Sequence, residues 1–394
     1  MLELQHDLRL KKTRDEKARM NFVSGLRSYV LNDMANGMRA VYDAQVQPAF
    51  ARRTGRTPHD GPEVHRAMRE NEIFRFYSAL RVTAQDMVYQ VVRVPLERQR
   101  DAMNAHARQL AANARGSLQL DPALEVPRSV SAIDVHLMPG NYDGESGEDD
   151  LAAGSVYDNG LAVFSFGLMG QNLDDLGQSI SRFIHAKYPQ FRPQRILDLG
   201  CTIGHNTGAW ADTYPQAHVT GIDVAAPCLR YAHARAEAQG RAVHFRQMNA
   251  EALDVPSESL DVVFSSMFLH EVPRKGIERV FAEAYRVLKP GGLMLHMELP
   301  PNSQLSPYES FYLDWDSFYN NEPYYKPFRD LVPEALCARA GFSPEKYVQF
   351  VVPSIGWYGE KVWSEALTMQ DQVDSDKTGR LAEGIRWYCF GAWK

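Results

Sequence analysis

Residues 195–208 read Arg-Ile-Leu-Asp-Leu-Gly-Cys-Thr-Ile-Gly-His-Asn-Thr-Gly, and no other stretch restricts the fold of this chain as much. An apolar run (Ile196, Leu197, Leu199) breaks into closely spaced glycines and then into residues that tolerate a helix. That is the pattern of a buried parallel strand turning into a helix. Glycines at such a turn allow positive φ and let the backbone approach a ligand, while amides at the helix start favour negative charge or polar acceptors. A pyrophosphate-binding dinucleotide loop would read Gly-x-Gly-x-x-Gly. Here the glycines are Gly200, Gly204 and Gly208, with Thr202 where the middle one would fall, so a nicotinamide cofactor fits poorly. Threonine is tolerated at such a position where φ stays negative, which is the expectation for Thr202.

A chain of 394 residues sets two domains as the starting expectation. Over 16–50, Phe22, Leu26, Val30, Met34, Met38 and Val41 recur every three or four positions, the period of one helix face. After a connector with Gly55, Pro58, Gly61 and Pro62, the period returns in Ile73, Tyr77, Leu80, Ala84, Met87 and Val91. It returns again in a third segment, Leu96, Met103, Ala107, Leu110 and Ala114. The first 115 or so residues therefore predict a helical unit whose apolar faces must be buried, against the rest of the chain or in a homodimer. Between 116 and 160 the periodicity fails, and Pro139-Gly140, Asp143-Gly144 and the acidic run 145–150 predict an exposed linker. The boundary falls here, giving an N-terminal helical domain with linker over 1–150 and a second domain over 151–394.

In the second domain, Leu173, Leu176, Ile180, Phe183 and Ile184 form one amphipathic helix leading into the central strand. Strands follow near 218–223, 242–247, 260–266 and 293–299, with helical stretches between them; 276–288, stopped by Lys289-Pro290-Gly291-Gly292, is the clearest. Two late strands lie near 346–352 and 386–393. This βαβ alternation predicts an α/β fold.

Composition excludes several classes. A net charge of −6 works against a dedicated nucleic-acid binder. Cys201, Cys228, Cys337 and Cys389 are far apart, so neither a zinc site nor a disulfide framework is expected. The first residues are densely charged and no uninterrupted apolar run reaches membrane-spanning length, so a cytoplasmic protein without a membrane partner is expected by default.

Beyond the glycine turn, Asp223 closes the strand Val219-Thr220-Gly221-Ile222-Asp223. An acid there can accept two hydrogen bonds from ribose hydroxyls at the switch point of an open sheet; the plainer alternative is a helix N-cap. Asn249-Ala250-Glu251 follows the third strand, where Asn249 retains an acceptor oxygen or merely makes a turn. Asp261-Val262-Val263-Phe264-Ser265-Ser266 runs on to Leu269-His270, and Arg286-Val287-Leu288-Lys289-Pro290-Gly291-Gly292 precedes the fifth strand. In this order and spacing the segments resemble the class I, Rossmann-like S-adenosylmethionine-dependent methyltransferases over about residues 173–299. Asp198, Gly200 and Gly204 match that family's first motif, and Thr202 departs from it. The helical first 115 residues have no counterpart in the family's shared core.

The resemblance implies a doubly wound, seven-stranded methyltransferase sheet with its last strand antiparallel. It further implies S-adenosylmethionine held by Asp198, Gly200, Cys201 and Gly204 in the turn, Asp223 and Val224 after the second strand, Asn249 and Ala250 after the third, and Ser266 after the fourth. The expected activity is methyl transfer to oxygen, nitrogen or carbon of a small molecule. A rival expectation is a protein that keeps the cofactor pocket without methylating, as a regulatory module or another enzyme. His270, just past a strand's carboxyl end, is the candidate general base, or else a packing residue; His205 and His296 are weaker candidates. Residues 303–328 concentrate aromatic side chains, and there Tyr312 and Trp315 are expected to line a substrate pocket, with packing on the N-terminal helices as the alternative.

Overall fold

The computed structural model describes residues 3–368 and 385–394. Helix α1 (Arg14–Tyr29) starts at a capping box in which Thr13 and Glu16 satisfy each other's backbone amides. It continues through a π turn (Val30–Met34), α2 (Ala35–Val41), a second π turn (Tyr42–Val46) and α3 (Gln47–Thr54), which ends on left-handed Gly55. Helix α4 (Gly61–Met68) follows, then α5 (Glu72–Ala111). Two expected helical segments are thus one helix, in spite of Pro95. The missing amide and the ring of a proline cost a helix stability, but Val88, Val92, Leu96, Met103 and Ala107 bury one continuous stripe across it.

The first two expected stripes are buried at Val30, Met38, Tyr77 and Ala84 but not at their first residues. Phe22 is 62% exposed and Ile73 lies in solvent. The buried faces are Met20, Val23, Arg27 and Val30 on α1 and its extension, and Phe74, Tyr77, Arg81, Ala84, Gln85 and Val88 on α5. Polar residues such as Arg27, Arg81 and Gln85 occupy interior positions, which hydrophobicity alone does not reveal.

The region expected as linker holds strand β1 (Ser117–Gln119), helix α6 (Arg128–Ser131) and helix α7 (Ala152–Phe164). Helix α7 carries no polar face: Ala153, Ser155, Asp158, Asn159, Ala162 and Val163 are all buried, so no helical period marks it. A Cβ on Gly160 would lie 2.6 Å from the Tyr89 ring, so glycine is what lets α7 approach α5 this closely.

The remaining elements alternate. They are α8 (Asp175–Lys187), β2 (Arg195–Leu199), α9 (His205–Thr213), β3 (His218–Asp223), α10 (Ala226–Ala238), β4 (His244–Gln247), β5 (Leu260–Ser266), α11 (Arg274–Val287) and β6 (Leu288–Glu298). An insertion of α12 (Pro307–Tyr319), α13 (Tyr325–Arg329) and α14 (Pro333–Ala340) leads to β7 (Tyr347–Pro353), α15 (Ile355–Glu365) and β8 (Arg386–Trp393). The sheet order is β1-β4-β3-β2-β5-β6-β8-β7, with β8 antiparallel to both neighbours. It has eight strands where seven were expected, because Ser117–Gln119 pairs in parallel with the edge strand β4. Three residues are too few to show alternation in a sequence.

Alternate strand residues feed two cores. Leu197, Val263 and Met294 face α11 and share a core with the N-terminal helices and α12. Ile196, Val262 and Leu293 face α8 and Trp210 of α9. The apolar faces of the N-terminal helices are covered within the chain, Tyr42 packing on Tyr308, and Phe74 and Tyr77 on Trp315.

Candidate active site

A cavity of about 290 Å³ opens at the carboxyl ends of β2, β3, β4 and β5. Asp198, Gly200, Cys201, Asp223, Val224, Asn249, Ala250, Ser266, His270 and Tyr312 all line it, so residues far apart in the chain meet in one place. Gly204 and Trp315 do not line it. Gly204 heads α9 at φ 66° and packs over Phe245.

The turn after β2 is built from three left-handed positions at alternate residues: Gly200 (φ 65°), Thr202 (φ 48°) and Gly204 (φ 66°). Thr202 therefore departs from the expected negative φ. A β-branched residue in that region is strained, and the strain is opposed by its amide donating to Asp223 Oδ2 at 2.9 Å. The other Asp223 oxygen accepts from Ala225 N at 3.0 Å. Asp223 thereby holds the turn and begins the next helix, while its carboxylate still faces the cavity. Burial raises its pKa in spite of these backbone bonds.

Asp198 is buried and accepts from Thr207 Oγ1 at 2.6 Å; burial lifts its carboxyl to about 7. Asn249 makes a local turn, its Oδ1 accepting from Glu251 N at 2.9 Å. Ser266 Oγ accepts from Asn206 Nδ2 at 2.9 Å. All four cysteines are buried, and among the described residues none forms a disulfide.

His270 is 2% exposed and stacks on Tyr325 at 3.9 Å. Its Nδ1 lies 2.6 Å from Oε2 of Glu298, at the end of β6. The other oxygen of Glu298 accepts from the amides of Phe268 and Leu269 at 2.9 and 2.7 Å. A fully buried carboxylate thus fixes the ring and makes Nδ1 the protonated nitrogen of the neutral imidazole, with Nε2 3.8 Å from Glu271 Oε1. Burial lowers the histidine pKa, but Glu298 outweighs it and the net shift is upward. His205 also lines the cavity, held neutral by burial with a pKa of about 3. His296 does not: it hydrogen-bonds Ser265 Oγ at 2.7 Å and stacks on Phe281 within the core.

Trp315 is 1% exposed, stacks on Tyr77 at 4.8 Å and donates from Nε1 to Ser78 Oγ at 3.0 Å. It joins α12 to α5 and leaves Tyr312, Leu313 and Asp316 to face the cavity.

Several wall residues were not legible beforehand. His136 contacts Glu322 Oε1 at 3.0 Å through Nδ1 and Glu271 Oε1 at 3.3 Å through Nε2. Burial would lower its pKa, but the two carboxylates raise it to about 10. Tyr89, Tyr142, Tyr157 and Arg27 complete the wall. Of these only Glu271, adjacent to His270, carried a positional signal in the sequence. Elsewhere, His59, Asp60 and Glu63 are close enough to share a metal ion, but Arg56 donates to both Glu63 oxygens at 2.7 Å, and the group lies away from the cavity.

A glycine turn after the first long parallel strand, an acid ending the next, and a cavity at the switch point between β2 and β5 define a nucleoside-cofactor domain of the open α/β class. Over residues 196–292 the chain matches the family model described as a methyltransferase domain. It is 37% identical over 109 residues to demethylmenaquinone methyltransferase of Thermus thermophilus, covering 28% of this chain and 49% of that protein. It is 34% identical over 121 residues to malonyl-[acyl-carrier protein] O-methyltransferase of Methylococcus capsulatus, covering 30% and 41%. With trans-aconitate 2-methyltransferase of Rhodopseudomonas palustris it shares 33% identity over 124 residues, covering 31% and 44%. The chain thus spans half or less of the length of these curated relatives. Among the described residues no helix is long and apolar enough to cross a membrane.

Proposed function

We propose that the protein is an S-adenosylmethionine-dependent methyltransferase acting on a small-molecule acceptor, with His270 as general base. The observation that carries this reading is a single cavity whose walls include both the glycine turn with Asp223 and the His270–Glu298 pair. The residues suit the cofactor. Asp223 keeps lone pairs for ribose hydroxyls beyond the two amides it already serves, and buried Asp198, lifted to about 7, would be drawn to its carboxylate form by a cationic group beside it. When bound, S-adenosylmethionine supplies an electrophilic methyl group on its sulfonium.

The protein's own part is to orient the acceptor, exclude water and remove one proton. The tyrosines and the α12–α13 insertion enclose the cavity, and His270 Nε2 takes the proton from the acceptor atom while Glu298 stabilises the imidazolium that forms. The relatives are named for demethylmenaquinone, malonyl-[acyl-carrier protein] and trans-aconitate, which supports a small or carrier-bound acceptor without selecting one.

Calorimetry with S-adenosylmethionine, S-adenosylhomocysteine and NAD tests the cofactor, and methyl release over an acceptor library tests the activity. The adenosyl ligands should bind and NAD should not. Asp223→Ala should weaken S-adenosylhomocysteine by about ten- to a hundredfold, the loss of hydrogen bonds to a charged group. Unchanged affinity in a folded variant refutes the ribose role. Binding without methyl release across the library would favour a cofactor-binding protein that does not methylate.

A further inference from the structure

Arg27 points to the chemistry of the acceptor. It projects from α1 into the cavity wall and is 1% exposed. Its Nη1 donates to Gln85 Oε1, and Gln85 is itself locked by donating from Nε2 to the carbonyl of His136 at 2.7 Å. Its Nε and Nη2 have no hydrogen-bond partner among the described residues. The acid nearest in charge, Asp316, is engaged by Arg81, whose Nε lies 2.5 Å from Oδ1.

A buried guanidinium with two idle donors beside a second arginine is costly unless an anion completes it. Nε and Nη2 form one edge of the guanidinium plane, with the spacing of the two oxygens of a carboxylate. Around that edge the wall is apolar and aromatic: the guanidinium carbon sits 4.0 Å over the Phe164 ring, and Leu31, Leu161 and Tyr89 lie on the same cavity. Burial and Arg81 pull the Arg27 pKa down to about 9, which leaves it charged at neutral pH.

We infer that Arg27 is the anion-recognition residue of the acceptor site, so that the methylated small molecule carries a carboxylate on an apolar body. The carboxylate is taken side-on by Nε and Nη2, with Gln85 holding the guanidinium in place and the body lying against Phe164 and its neighbours. This rests on the reading of the cavity as a methyl-acceptor site.

The test is calorimetry on the full chain loaded with S-adenosylhomocysteine, titrated with benzoate and hexanoate and with their neutral amides, benzamide and hexanamide. At least one acid should bind about tenfold or more tightly than its amide, and Arg27→Met should abolish that preference while leaving S-adenosylhomocysteine affinity unchanged. Arg27→Lys, which keeps charge but not the two-donor edge, should retain only part of it. Equal binding of both acids and their amides to the wild type overturns the inference without any variant being needed. So does an acid preference that survives in Arg27→Met. Failure of S-adenosylhomocysteine to bind is read in a separate titration; it sinks the methyltransferase reading, and the acceptor assignment with it. Bound S-adenosylhomocysteine without acid preference sinks only the role of Arg27.

Discussion

His270 shows how far one side chain's environment sets its use. As a free imidazole it would titrate near 6.5; beside the buried carboxylate of Glu298 its pKa is raised. With the neutral form as the proposed base, activity should rise with pH through a midpoint above the free value. Glu298→Gln should lower that midpoint as well as the rate, because it removes the charge that holds the proton on. His270→Ala should reduce turnover by about a hundredfold or more and leave S-adenosylhomocysteine affinity nearly intact. A pH–rate profile and calorimetry on the two variants check this, and loss of cofactor binding instead would mark His270 as a packing residue. The position of His270 was legible, since it lies just past a strand that alternation and composition identify. Its partner was not: Glu298 is 28 residues further on, at the end of a different strand. Thr202 was misread for a related reason. Its left-handed φ is held by the hydrogen bond that its amide donates to the Asp223 carboxylate, a contact made by the neighbouring strand.

Helix α12 shows the same gap one level up. The aromatic positions of 303–328 announced a buried helix, and one face does meet the cavity through Tyr312 and Asp316. The other face meets α5, and Trp315 belongs to it. Trp315→Ala should therefore cost about 3–5 kcal/mol of stability, as large-to-small core replacements do, with little change in the acceptor Michaelis constant once the protein is folded. Urea unfolding and steady-state kinetics together check this; an unchanged midpoint with a raised Michaelis constant would return Trp315 to the pocket. Period identifies that a helix has two sides, but which side faces solvent, cofactor or neighbour depends on what packs there. Helix α7 is the limiting case, buried on every side and hence without any period to read.

The whole molecule is tied together at the cavity. His136, on the turn between α6 and α7, contacts Glu271 after β5 and Glu322 after α12, while its carbonyl accepts from Gln85 on α5. Three segments distant in sequence thus converge on one residue. Because the folded pKa, about 10, lies above the unfolded value near 6.5, the stability contributed by charged His136 is fully present below about 6.5 and is lost as pH rises toward 10. Urea unfolding of wild type and His136→Gln across that range should show the largest difference at the acid end, closing toward the alkaline end. A constant difference would mean that packing, not charge, accounts for His136.

Local chemistry was enough to identify the glycine turn, the alternation of strands with helices, Asp223 at a strand end and the helical character of the first 115 residues. Each of these follows from spacings of a few residues, and backbone sterics and burial period act over that range. What packs against those elements lay beyond that reach. The eighth strand, the polar residues on the buried faces of α1 and α5, and the meeting of His136 with Glu271 and Glu322 became visible only in the folded chain. So did the idle edge of Arg27. A buried polar residue looks in sequence like a surface one, and only the partners brought to it by folding distinguish the two.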